Sequence, residues 1–313
     1  MSVHIAVVGT GRVGRPTAYT LMCANLASEI TVCDTKPGLA KAFAEELRHA
    51  AASIRLDSEI IDCERDEDVS GADIIVISAG TPRAPGVQMS RRDLAAKNAE
   101  IVRYVAEATV TRNRGAKYVV VTNPVDAMAM ICKKYTRAEF TISTGTNLES
   151  LRLRSKLAKV LKVPVSKIQG WAAGEHGEAA IILWSTSKAY GMPVEEYAKK
   201  EKVAFTKSDV ESYMKGISKF VIDNVGGTEY GPAASFRDIL RAIINNTDEV
   251  LSVAVPMMFE GISEPVHVGV PTRLGWNVGP TLFDFLLPEE KKGIEDAAKA
   301  IYGTYQMALS AIT

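Results

Sequence analysis

The sequence predicts an α/β fold, with a doubly wound parallel sheet over residues 1–145 followed by an α+β half over residues 146–313. Three observations carry that expectation. The first half alternates continuous apolar runs with amphipathic stretches, the pattern of parallel strands joined by helical crossovers and covered on both faces. A glycine-rich turn joins the first apolar run to the first helix, where such sheets place it. Past residue 145 the alternation gives way to helices and to two strands around a turn. At about 150 residues per domain, a chain of 313 also suits two domains.

Val3 to Val8 is a continuous apolar run, hence a strand buried on both sides. Arg12 to Leu26 follows as a helix, with Pro16 in its first turns, where a missing N–H is tolerated. Ile30 to Cys33 is the second strand, and Gly38 to Ile54 carries Ala, Leu and Phe at helical spacing. Asp73 to Ser78 (D-I-I-V-I-S) is the clearest strand, followed by a Pro- and Gly-bearing loop and a helix from about Arg92 to Arg112. Tyr118 to Val121 is another strand, ending at Thr122-Asn123-Pro124. In the second half Leu148 to Leu161 is a basic helix, with a loop at Gly174 to Gly177. Residues 208–222 and 232–245 read as helices, and Val250 to Met258 and Val266 to Thr272 as antiparallel strands around turns at Gly261 and Glu264-Pro265. The chain closes on an amphipathic helix, with Ile294, Ala298, Ile301, Tyr305, Ala308 and Ile312 at steps of three and four.

Composition removes several classes of function. Lys plus Arg and Asp plus Glu each number 37, and the basic residues form no long block, so a nucleic-acid-binding surface is not expected. A hydrophobic content of 47% supports a packed core, and no apolar run approaches the roughly 18 residues a membrane helix needs. Met1-Ser2-Val3-His4-Ile5 lacks the basic-then-apolar pattern of a signal peptide. Cys23, Cys33, Cys63 and Cys132 are dispersed, with no C-x-x-C pair, so neither a disulfide scaffold nor a metal site is expected and a reducing, cytoplasmic setting is.

Gly9-Thr10-Gly11-Arg12-Val13-Gly14 is a G-x-G-x-x-G run between a strand and a helix, the Rossmann fingerprint. Glycine permits the tight turn and lets backbone approach a pyrophosphate, whose charge is favoured at the helix N-terminus. The motif alone is weak. Asp34 strengthens it, because it ends the next strand about 20 residues on, where an acid reaches the adenine-side ribose. An ionised Asp34 accepts from a ribose diol and repels a 2′-phosphate, so NAD is favoured over NADP, although Lys36 stands nearby.

Of four histidines, His4, His49 and His267 read as structural or surface residues. His176 lies in Gly174-Glu175-His176-Gly177, where the flanking glycines give access to the ring. In Leu148-Glu149-Ser150-Leu151-Arg152, Glu149 and Arg152 are spaced i, i+3 and can face one cleft. A carboxylate can orient an imidazole, and an arginine can grip a substrate carboxylate bidentately. Taken alone, this pair is an ordinary helix-surface ion pair worth little. The loop Ala79-Gly80-Thr81-Pro82-Arg83-Ala84-Pro85-Gly86-Val87-Gln88-Met89-Ser90-Arg91-Arg92-Asp93-Leu94 leaves the C-terminal edge of the sheet, and its three arginines suit a lid closing over an anion. A solvated basic loop would look the same in isolation.

The fingerprint with Asp34, the A-G-x-x-R-x-P-G…R-x-D-L loop, Thr122-Asn123-Pro124-Val125-Asp126, G-T-N-L-E-S-x-R and G-E-H-G occur in one order. Together they resemble the lactate/malate dehydrogenase family over essentially the whole chain. The resemblance implies that His176 is the acid/base, that Glu149 orients it, that Arg152 binds the C1 carboxylate and that Arg91 polarises the reacting carbonyl. It implies that Asn123 contacts substrate and cofactor, with Asn98 and Val121 beside the nicotinamide. Arg83 stands where family members select substrate, and an arginine there resembles the malate dehydrogenases, since it can pair with the second carboxylate of oxaloacetate. Reversible oxidation of (S)-malate by NAD is thus the implied reaction, in a homo-oligomer, either dimer or tetramer. The sequence departs from the family pattern in having Glu149 for the usual Asp, Glu178-Ala179 for Asp-Ser after the histidine, and a longer loop between Arg83 and Arg91. Rival readings are a lactate or other 2-hydroxyacid dehydrogenase and a non-catalytic NAD-binding protein. A short-chain dehydrogenase is disfavoured because no tyrosine is followed four residues later by lysine. Thr228 to Ala234 is a candidate substrate wall.

Overall fold

The computed structural model describes residues 2–81, 91–177 and 179–313, apart from the side chains of Arg91 and Arg92. Six parallel strands come from the first half: β1 (His4–Val8), β2 (Glu29–Cys33), β3 (Glu59–Cys63), β4 (Ile74–Ile77), β5 (Lys117–Val120) and β6 (Thr141–Ser143). Their crossovers carry α1 (Gly14–Cys23), α2 (Leu39–Ser53), α3 (Arg91–Val110) and α4 (Val125–Thr136). The second half contributes α5 (Asn147–Leu161), β7 (Ile168–Ala173), β8 (Ile181–Ala189), β9 (Met192–Pro193), α6 (Val194–Lys200), α7 (Lys207–Val225), α8 (Tyr230–Ile244), β10 (Glu249–Met257), β11 (Val266–Leu274), β12 (Val278–Thr281) and α9 (Pro288–Ser310).

Among the described residues the strands form a nine-stranded sheet, ordered β12-β11-β10-β6-β5-β4-β1-β2-β3, and a smaller one, β7-β8-β9. The doubly wound parallel sheet and the α+β second half are therefore as the sequence predicts. Beyond that expectation, β10 pairs antiparallel with β6 through Ala254 and Ser143, so both halves share one continuous sheet. Strand order reverses between β1 and β4, which opens a crevice at their C-terminal ends, the place where ligands bind in this architecture.

β1, β4 and β5 are buried at every position, and past His4 and Lys117 at the starts of β1 and β5 they are unbroken apolar runs. The stripe on α9 faces inward at Ile294, Ala298, Ile301, Tyr305 and Ala308, and burying each large apolar side chain contributes roughly 1.5–3 kcal/mol. That helix stops at Ser310, short of the expected Ile312, whose carbonyl accepts from Arg103 Nη1 at 2.6 Å. At its start the Glu290 carboxylate accepts from Leu287 N–H, Ser185 N–H and Ser185 Oγ, joining α9 to β8. α4, not among the helices expected from the sequence, is buried around most of its circumference, including Met128, Ile131 and Cys132. A second core of Leu153, Leu157, Leu161, Ile168, Val194 and Val210 packs α5 against β7, α6 and α7.

Candidate active site

Two groups of residues lie at the C-terminal edge of the sheet. The first is the turn Gly9–Gly14 between β1 and α1. Ser78 Oγ donates to Gly9 O at 2.7 Å, pinning this turn against the end of β4. Gly9 has φ +95°, and a Cβ there would lie 2.3 Å from Ala79 N, so fold and glycine are inseparable at this position. Gly11 is different. A Cβ on Gly11 would meet no atom of the described residues within 4 Å, so packing among them does not explain its lack of a side chain. Open space beside a backbone turn that leads into a helix fits the close approach of a pyrophosphate. Gly11→Ala is thus expected to melt within about 1 kcal/mol of the native protein yet to weaken NADH binding about tenfold, measured by fluorescence titration. Gly9→Ala, with a backbone clash at positive φ, is expected to lose more than about 4 kcal/mol of stability in urea melts.

Thr10 is buried, and both its N–H and its hydroxyl donate to Asp34 Oδ2, at 2.8 and 3.0 Å. Lys36 N–H donates to Asp34 Oδ1 at 3.0 Å. Asp34 is therefore fixed at the end of β2 by the phosphate turn itself, with its remaining lone pairs available to a ribose diol. Arg12 pairs with Glu229 at 3.1 Å, and Val13 supplies no side-chain cap to α1. Thr228–Ala234, read as a candidate substrate wall, begins α8: Glu229 holds Arg12, Pro232 and Ala233 are buried in packing, and Tyr230 is exposed.

Asn98 on α3 is buried and cross-links two strand ends, accepting from Thr81 N–H at 2.7 Å and donating to Asn123 O at 2.6 Å. Val121 follows β5, bonded through its N–H to Ile77 O, and Asn123 follows it with an exposed side chain before a cis bond to Pro124. Arg83 and the rest of residues 82–90, and Glu178, lie outside the described residues, as do the side chains of Arg91 and Arg92.

The second cluster centres on His176. Gly174 bridges Gly269 of β11 through reciprocal N–H to carbonyl bonds, which lays the loop after β7 across the sheet and carries His176 to the start of α5. There His176 Nδ1 lies 3.2 Å from Glu149 Oε2 and 3.2 Å from Gly145 O. Both partners only accept, so Nδ1 carries the proton and Nε2 is the nitrogen left to exchange one. Glu149 is 2% exposed, and its other oxygen lies 3.4 Å from Arg152 Nη1. The structure thus brings together Glu149, Arg152 and His176, three residues from two distant segments.

Their charges are mutually dependent. Burial opposes protonation of His176, but the facing Glu149 carboxylate outweighs it and raises the imidazole to about 9. Burial likewise opposes ionisation of Glu149, yet the imidazolium and Arg152 hold its carboxyl below the usual range. A histidine raised from 6.5 stabilises the fold fully below pH 6.5 and loses that contribution as pH rises through about 9. Asp126, raised from 3.8 to about 6 chiefly by burial, and His267, lowered from 6.5 to about 4 chiefly by burial, act in the acid range instead. Melting temperature should therefore decline between pH 6.5 and 9, and Glu149→Gln should abolish most of that decline. An identical decline in the variant would show that the pair is not its source.

The sequence reading assigned no role to Asp126, although it quoted the residue within Thr122–Asp126. Asp126 is 2% exposed, accepts from Ser143 Oγ at 2.6 Å and accepts from His176 N–H at 3.0 Å. The available signal was an acid directly before the apolar run Ala127–Cys132. Among the described residues no group of His, Cys, Asp and Glu is arranged to hold a metal ion, and no helix is long and apolar enough to cross a membrane.

Two family models match the chain: the lactate/malate dehydrogenase NAD binding domain over residues 3–141, and the lactate/malate dehydrogenase alpha/beta C-terminal domain over residues 146–303. A malate dehydrogenase of Sulfurisphaera tokodaii is 41% identical over 302 residues, 96% of this chain and 95% of that protein. An L-lactate dehydrogenase of Clostridium acetobutylicum is 31% identical over 306 residues, 96% of each. The crystal structure of malate dehydrogenase from Plasmodium falciparum superposes with a TM-score of 0.91 at 24% identity, covering 99% of this chain and 100% of that one, a likeness of fold.

Proposed function

From the premise that this chain belongs to the lactate/malate dehydrogenase family and is an NAD-dependent oxidoreductase, we propose that it interconverts (S)-malate and oxaloacetate, with His176 as acid/base. The observation that carries the mechanism is the His176 ring held by Glu149 and Gly145 at Nδ1. That contact sets Nε2 as the site where a proton enters or leaves a substrate oxygen. NAD held by the Gly9–Gly14 turn and Asp34 would supply the hydride acceptor for oxidation of the alcohol carbon, and NADH the donor for the reverse.

Residues 1–145 hold the cofactor and residues 146–313 the catalytic pair. Gly9 to Gly14 receive the pyrophosphate, Asp34 the ribose, and Asn98, Val121 and Asn123 the nicotinamide side. Arg152 grips the C1 carboxylate and Arg83 the second carboxylate, while Arg91 stabilises negative charge on the substrate oxygen during reduction. In oxidation, neutral His176 takes the hydroxyl proton through Nε2. The resulting imidazolium faces Glu149, so charge develops where a buried carboxylate already waits. At neutral pH the raised imidazole holds its proton, ready to deliver it to a 2-oxoacid. The homo-oligomer and the cytoplasmic setting belong to the same reading.

The deciding experiment compares kcat/KM for NADH oxidation with oxaloacetate and with pyruvate. A preference for oxaloacetate of several orders of magnitude supports the proposal. Equal rates or a pyruvate preference replace it with a lactate or other 2-hydroxyacid dehydrogenase, and NADH binding without turnover of either leaves a non-catalytic binding protein.

A further inference from the structure

Two thiols meet beside Asp34, away from the His176 pair. Cys33 closes β2 and Cys63 closes β3, and the parallel pairing of these strands sets the two residues directly opposite. Dispersed in the sequence, they leave the same face of the sheet as neighbours. The thiols are hydrogen-bonded to each other. Cys33 Sγ also lies 3.4 Å from Asp66 Oδ1, and Cys63 Sγ donates to Arg65 O at 2.8 Å. Cys33 is fully buried, whereas Cys63 is 8% exposed and lines a half-open crevice of about 210 Å³ with His4, Thr31, Glu64 and Asp68. A molecule little larger than water fits there. The same two residues hold the cofactor side of the sheet by their main chains. Gly9 N–H donates to Cys33 O at 2.8 Å, Asp34 follows Cys33 in the chain, and Asp34 N–H donates to Cys63 O at 3.0 Å. Drawing Cys33 toward Cys63 therefore moves both the phosphate turn and Asp34.

We propose that Cys33 and Cys63 are a redox-active dithiol, a modification site at which a peroxide forms an intramolecular disulfide that weakens cofactor binding. The effect on binding rests on the reading of Asp34 as the ribose acid; the disulfide itself does not. Cys63 attacks first, because it has access and because the hydrogen bond from Cys33 holds its thiol below the ordinary value against the effect of burial. Its thiolate sulfur bonds to one peroxide oxygen and the O–O bond breaks. The departing hydroxide recovers the proton that the Cys63 thiol released and leaves as water, and Cys63 becomes a sulfenic acid. Cys33 sulfur then attacks Cys63 sulfur, the S–O bond breaks, and the hydroxide leaves with the Cys33 proton as a second water. Two thiols lose two electrons, and one hydrogen peroxide is reduced to two waters. Facing positions on neighbouring strands are about 4.8 Å apart, inside the roughly 4.4–6.8 Å that a disulfide spans between Cα atoms. Its Cβ atoms settle at about 3.8 Å, so closing the bond pulls the two strand ends together. The bond also removes the thiol proton facing Asp66, a carboxylate only 4% exposed. A disulfide strained in this way is readily reduced, which suits a reversible site in a reducing compartment rather than a structural staple.

The test treats reduced Cys23→Ser protein, which lacks the exposed cysteine, with hydrogen peroxide, followed by alkylation and peptide mass spectrometry. The expected result is a Cys33–Cys63 linked peptide pair lighter by two hydrogens. NADH affinity, read by fluorescence titration, should fall about tenfold, the effect of losing one hydrogen bond to a charged group. Dithiothreitol should reverse both changes. In the same background Cys33→Ser should stop at a Cys63 sulfenic acid that dimedone traps, and Cys63→Ser should keep its NADH affinity through the peroxide treatment. If neither variant folds, the linked peptide and its reversal in the Cys23→Ser protein decide the matter. No linked peptide under excess peroxide, or a linked peptide with NADH affinity unchanged, would overturn the proposal. So would an equal loss of affinity in Cys63→Ser, which would place the oxidised group elsewhere. Asp34→Ala is the separate check on the ribose reading: native NADH affinity in that variant sinks the reading, while the linked peptide still scores the dithiol.

Discussion

His176→Ala should lower turnover by about 10³-fold or more while NADH binds with near-native affinity. General acid–base catalysis by a positioned side chain contributes typically 10²–10⁴-fold, and the arrangement here uses His176 from both sides. Its Nδ1 is committed to Glu149 and Gly145, so no other atom of the ring can substitute for Nε2. Removal also strands Glu149, a 2%-exposed carboxylate left with Arg152 at 3.4 Å. The phosphate turn and Asp34 are built from β1, α1 and β2, and among the described residues the hydrogen bonds of His176 go instead to Asp126, Gly145 and Glu149. Affinity for NADH should therefore survive the loss of rate. Fluorescence titration gives the first quantity and single-turnover kinetics the second. A variant turning over near the native rate would remove His176 from the chemistry.

Arg83→Gln should shrink the preference for oxaloacetate over pyruvate by roughly 30- to several-thousand-fold. The argument is electrostatic. An arginine enclosed with the methyl of pyruvate is desolvated without a partner, a penalty of about 2–5 kcal/mol, whereas the second carboxylate of oxaloacetate neutralises it. Glutamine carries no charge to strand, so pyruvate should gain as oxaloacetate loses. Arg83 lies outside the described residues, and the expectation rests on the resemblance that puts it where family members select substrate. The readout is kcat/KM for each oxoacid in native and variant protein. An unchanged ratio would mean that another side chain selects the substrate.

Much of this was legible because the responsible forces are local. Strands buried on both faces announce themselves as apolar runs, and Gly9 to Gly14 with Asp34 are read from their spacing. Three of the strands that went unread lack that signature. β3 mixes Glu59 and Asp62 with Ile60 and Ile61, β6 has three residues, and β8 is half-exposed along much of its length. At the site, Glu149 and His176 were each visible in motifs, but their meeting depends on a pairing between Gly174 and Gly269, far apart in sequence. Asp126 was quoted as part of a motif and given no task. Its importance lies in which backbone group it meets, and no sequence pattern carries that information.

The antiparallel pairing of β10 with β6 bears on how such a protein can be cut and recombined. Ser143 lies opposite Ala254, and Gly145 presses on the backbone of Val253 and Ala254. Severing the chain near residue 145 would not release two free-standing modules. It would convert β6 and β10 into raw sheet edges and uncover apolar side chains such as Ile142 and Val253. A hybrid that takes one half from a relative inherits this seam, so the residues to transplant together are those on either side of it rather than those flanking the boundary in the chain.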